Sequence, residues 1–95
     1  MSQNNKVQNV VASASPLPVE RVQLGVRMEK RMVKVLKALA EKADMSLGSL
    51  LEDIVLHAFE GESTFNHADD VAMIKDFKRL YDMDYGVHAS YDFAE

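Results

Sequence analysis

The sequence predicts a mainly α-helical homodimer that shares one short β-strand between subunits, and three observations predict it. Residues Arg21 to Met28 alternate strictly, with Val22, Leu24, Val26 and Met28 apolar and Arg21, Gln23, Gly25 and Arg27 between them; a period of two separates the faces of a strand. From Met32 onward the apolar residues recur at helical spacing instead, in three successive stretches. No second stretch alternates comparably. A strand needs a partner for its backbone donors and acceptors, so the simplest repair is pairing with its own copy from a second subunit.

The elements follow in order. Residues 1–19 (MSQNNKVQNVVASASPLPV) are rich in Ser, Asn, Gln and Ala, and Pro16 and Pro18 disfavour helix. They are expected to form a disordered tail, extended after Ala14. The first helix is expected over EKRMVKVLKALAEKA, with the stripe Met32, Leu36, Leu39, Ala40 and Ala43. Asp44-Met45-Ser46 breaks it. Ser46 can cap the second helix, whose stripe runs Leu47, Leu50, Leu51, Ile54, Val55, Ala58 and Phe59, and Gly61 supplies a stop. A third helix is expected from Asn66, which can cap it, with Asp69 and Asp70 at the positive end of its dipole and Lys75, Lys78 and Arg79 farther along. Its stripe is Val71, Met73, Ile74, Phe77, Leu80 and Tyr81; the remainder, from Met83, has Gly86 as a breaker and no period. The chain thus divides into a tail (1–19), a core unit (20–61) and a C-terminal helix with its tail (62–95).

Ninety-five residues make one small domain whose modest core dimerisation would enlarge. There is no cysteine, which removes disulfides and thiolate metal sites and suits a reducing cytoplasm. No apolar run approaches membrane-spanning length. The net charge of −4 conceals a division: residues 21–42 carry seven basic groups against two acids, a balance of +5, and residues 43–95 carry three against twelve, a balance of −9. Such a block bears on partners, since a local basic surface attracts polyanions. Lys34, Lys37 and Lys42 read as an ordinary solvated helix face, whereas Arg21 and Arg27 stand on the polar side of the strand. All seven aromatics lie from Phe59 onward. That acidic, aromatic end covers the core or docks a protein partner.

Catalysis and cofactor binding find no support. His57, His67 and His88 are far apart and lack metal-site spacing. Asp69 and Asp70 are neighbours, and adjacent helical side chains diverge by about 100°. There is no Gly-rich phosphate loop and no nucleophile elbow.

The pattern V-x-L-x-V-R-M-E-x-x-M, then A-E-K, a turn and S-x-G-S-L-L-E-D, resembles the ribbon-helix-helix (Arc/MetJ/CopG-like) family of dimeric bacterial transcription factors, over about forty residues. The resemblance implies that the paired strands enter the major groove of double-stranded DNA. It places Gln23, Gly25 and Arg27 toward the bases and Leu24, Val26 and Met28 toward the core. Gln suits adenine and Arg suits guanine, while Gly25 stands where the family usually carries a reading side chain. The resemblance further implies phosphate contacts at Arg21 and Lys30, and at the start of the second helix through Ser46, Leu47, Gly48 and Ser49. Ser46 is equally explained as a plain N-cap. The expectation is therefore a cytoplasmic, dimeric, sequence-specific DNA-binding regulator. The alternative is an antitoxin or interaction module whose residues 62–95 bind a protein such as a toxin.

Overall fold

In the computed structural model, which describes residues 17–89, 92 and 93, three helices of equal length follow an N-terminal arm. Helix α1 spans Lys30–Lys42, α2 Leu47–Phe59 and α3 Ala68–Leu80, and a 3-10 turn follows at Val87–Ala89. The tail expected over residues 1–19 lies outside the described residues as far as residue 16.

Each helix starts and stops for a local reason. Glu29 caps α1, its carboxylate accepting from the amides of Arg31 and Met32. Ser46 caps α2, its hydroxyl accepting from the Ser49 amide at 3.1 Å. The cap expected at Asn66 falls one residue later: His67 is the N-cap of α3 and makes no side-chain cap bond. Asp69 and Asp70 do occupy the first turn of α3, as the helix dipole favours.

All three helices end in the same device. The residue after each C-cap takes a left-handed conformation: Asp44 (φ 57°), Gly61 (φ 73°) and Asp82 (φ 57°). The next amide then reaches back to the helix's third-last carbonyl, as Met45 to Ala40 at 3.0 Å, Glu62 to His57 at 2.8 Å and Met83 to Lys78 at 2.8 Å. These closures satisfy carbonyls that every helix end leaves orphaned.

Helices α2 and α3 both pack against α1. Val35, Leu39 and Ala40 of α1 and Leu50 of α2 form the buried centre. Leu36, Ile54, Phe65, Met73, Ile74, Phe77, Tyr81 and Met83 pack around it. Val35 belongs to this centre although it stands outside the expected stripe, whereas Ala43, Val55, Ala58 and Phe59 of the expected stripes are exposed.

The fold class differs from the expectation in one respect. The molecule is mainly helical, and the described residues contain no strand. Over Arg21–Met28 the expected intersubunit strand is replaced by an arm without secondary structure, so the ribbon-helix-helix architecture is not what this chain adopts. The physical reason is the one that made a strand need a partner: a ladder requires a second backbone alongside, and the described residues supply none. The apolar positions of the arm accordingly face solvent rather than a core. Val22 is 80% exposed, Leu24 76%, Val26 65% and Met28 41%.

Candidate nucleic-acid interface

The candidate interface consists of the arm, the start of α1 and the turn into α2. Gln23, Gly25 and Arg27 lie on the arm and are exposed. A Cβ at Gly25 would meet no atom within 4 Å, so none of the described residues approaches that backbone closely. Lys30, the first residue of α1, is also exposed.

Ion pairing sorts the three arginines of the basic block. Arg21 forks onto Glu52 of α2, with Nη2 to Oε1 at 3.0 Å and Nε to Oε2 at 3.1 Å. The pair holds the arm to α2 and lowers the Glu52 pKa, chiefly through the side-chain hydrogen bonds. Both partners are exposed, so water and salt screen the attraction and a phosphate could compete for Arg21. Arg31 is engaged by Glu29 and Asp84, each at 3.1 Å. Arg27 makes no ion pair among the described residues. Of the three guanidinium groups it is the one without a carboxylate partner among the described residues.

At the second expected contact, Ser46 accepts from the Ser49 amide and donates to the Ser49 hydroxyl at 3.0 Å. The amides of Leu47 and Gly48 are those for which a helix start offers no backbone partner. Gly48 is open, since a Cβ there would come no nearer than 4.0 Å to Ser46 Oγ. An open depression beside this turn is lined by Lys37, Ala40, Glu41, Asp44, Met45, Ser46 and Leu47. Glu41 and Asp44 place two carboxylates next to the helix start, which works against the dipole's attraction for an anion. Ser46 is therefore explained as a helix cap, and the arm carries the stronger cationic signal.

The feature that sequence reading missed lies immediately beyond the arm. Glu29, besides capping α1, accepts a short hydrogen bond from the Tyr85 hydroxyl and one from Arg31 Nε at 3.1 Å. Arg31 also donates to the Asp82 carbonyl and the Asp84 carboxylate, each at 3.1 Å, and its guanidinium lies 5.3 Å from the Tyr85 ring centre. Phe93 meets Tyr85 edge-on at 5.1 Å. On the next turn the Lys34 ammonium lies 5.9 Å from the Tyr81 ring. The tyrosine bond and the surrounding N–H donors hold the Glu29 carboxyl down at about 2. Burial and the same bond push the Tyr85 hydroxyl up to about 12. The segment after α3 is thus latched onto the start of α1. Glu29 before a helical stripe could have suggested an acid at a helix start; its partner fifty-six positions away left no local signal.

The described residues contain no group of three or more His, Asp or Glu side chains able to hold a metal ion. The three histidines lie apart: His57 Nδ1 is 2.8 Å from the Asp53 carbonyl one turn earlier, His67 is an N-cap and His88 lies in the 3-10 turn. No helix among the described residues is long and apolar enough to cross a membrane. No family model, no curated protein and no solved structure matches this chain.

Proposed function

We propose that the chain is a sequence-specific DNA-binding transcriptional regulator that acts as a dimer and reads duplex DNA through its N-terminal arm. The observation that carries this reading is the state of Arg27. It is an exposed guanidinium, without an ion pair among the described residues, in a block where the other two arginines are engaged. An arginine can fork onto guanine O6 and N7, and Gln23, four residues earlier, can present its amide to adenine. Lys30 adds an exposed cation for the phosphate backbone, and release of the Arg21–Glu52 pair would add another.

Self-association is supported by apolar surface. Val22, Leu24 and Val26 on the arm and Leu56 (63% exposed) and Phe59 (80%) on α2 are exposed among the described residues. So many large apolar side chains exposed in so small a protein favour a contact with a second copy. A dimer would present Gln23 and Arg27 twice, related by a twofold axis. The competing reading is an antitoxin that uses residues 62–95 to hold a protein. It is the weaker, because two aromatics of that segment, Tyr85 and Phe93, are engaged on α1 or on each other.

Selection from a random duplex library tests the proposal. A short palindrome or repeat should be enriched, and affinity should fall steeply with salt. Arg27→Ala should cost about 1–3 kcal/mol per half-site and relax preference at one base position of each. Lys30→Ala should weaken all sequences alike and flatten the salt dependence. A folded protein that enriches no sequence at low salt would leave the protein-binding reading in its place.

A further inference from the structure

Between α1, α3 and the segment that follows α3 lies a half-open cavity of about 320 Å³. Met32, Val35 and Leu36 form one wall and Ile74 another; Met83, Tyr85, Val87 and Phe93 form the third. Interiors seldom keep voids larger than a water molecule, because lining atoms lose their dispersion contacts. The volume instead falls at the lower end of ordinary ligand pockets, roughly 300–1,000 Å³. Two of the walls carry methionines, whose flexible thioethers adapt to varied apolar shapes.

Among the described residues the polar lining is sparse, and its charge has one sign. Lys78 of α3 is the one charged residue among the described residues that line the cavity. It is half-buried and makes no ion pair among the described residues, whereas its neighbour Arg79 is held by Asp76 at 2.9 Å. The Tyr85 hydroxyl is already committed to Glu29. An apolar pocket whose single free charge is a cation is complementary to a chain or ring that ends in one negative group.

We propose that this cavity binds an amphipathic monocarboxylate, with its hydrocarbon part between α1 and the side chains of Met83, Tyr85 and Phe93 and its carboxylate on the Lys78 ammonium. The proposal does not depend on DNA binding. Apolar burial supplies the affinity, and the ammonium–carboxylate contact supplies the choice of head group.

Isothermal titration of the full-length protein with sodium decanoate tests it, with decylammonium as the control of equal chain length and opposite charge. Decanoate should bind saturably at one site per chain and raise the melting temperature with concentration. Decylammonium should bind about tenfold more weakly or worse. Lys78→Met should weaken decanoate about tenfold and narrow the gap between the two head groups. Leu36→Trp should fill the cavity and abolish binding. Because that variant could disturb packing, Lys78→Met, altered on a half-exposed residue, is the deciding one, with its circular dichroism compared with that of the natural protein. Absence of saturable decanoate binding would overturn the proposal. So would equal affinity for the two head groups, or decanoate binding by Lys78→Met at undiminished strength.

Discussion

Glu29 shows how much can converge on one side chain. It caps α1, pairs with Arg31 and accepts from Tyr85, and these donors all favour its charged form. Because its pKa is lowered in the fold, the stability it contributes is fully present above its ordinary value of 4.5. That contribution is lost as pH falls toward about 2. Tyr85 has the opposite sign: its contribution is present below its ordinary 10.0 and is lost as pH rises toward about 12. Tyr85→Phe removes the hydrogen bond that does most to hold the Glu29 carboxyl down. Thermal melts between pH 2 and 5 should show the acid loss of stability beginning at higher pH in that variant. An unchanged acid limb would mean that the tyrosine bond does not hold the carboxyl down.

The helices report on their ends as much as on their stripes. Asp44 and Asp82 both adopt left-handed backbone, which disfavours a side chain with a Cβ, and each is followed by a methionine whose amide closes the turn. Gly61 does the same task with no such strain. Asp44→Gly should therefore stabilise the protein by about 0.5–1 kcal/mol, the relieved strain less the extra freedom of glycine in the unfolded chain. Gly61→Ala should destabilise it by about 1 kcal/mol. Shifts of the urea midpoint at constant slope would check both, and opposite signs would refute this account of the turns. The breaks at Asp44 and Gly61 were legible from residue type and the end of a stripe. The turn at Asp82 was not, because no glycine marks it and the first breaker after the stripe, Gly86, lies beyond the true end of α3.

At the scale of the molecule, the buried centre comprises four side chains among the described residues, and the arm's alternating apolar residues lie outside it. If those residues meet a second copy, sedimentation equilibrium at micromolar concentration should report a dimer. Val26→Asp should then shift the protein toward monomer, since it would place an unpaired charge in the contact. Because Val26 is 65% exposed in the single chain, the helical signal of the variant should persist. A natural protein that stays monomeric at high concentration would remove the dimer and, with it, the twofold arrangement of Arg27.

The sequence by itself determined the three helices to within a residue or two at most ends, because capping, turn and stripe signals are local and repeat at 3.6 residues. It also determined where charge of each sign accumulates. Tertiary structure decided what local pattern cannot carry. A period of two at Arg21–Met28 states which side chains share a face, but a strand exists only when another backbone lies beside it, and none does among the described residues. Which arginine remains available was likewise decided in three dimensions, by Glu52 reaching Arg21 and by Glu29 and Asp84 reaching Arg31. The contact of Tyr85 with Glu29 joins positions fifty-six residues apart, and only the packing of α3 against α1 brings their segments within hydrogen-bonding reach.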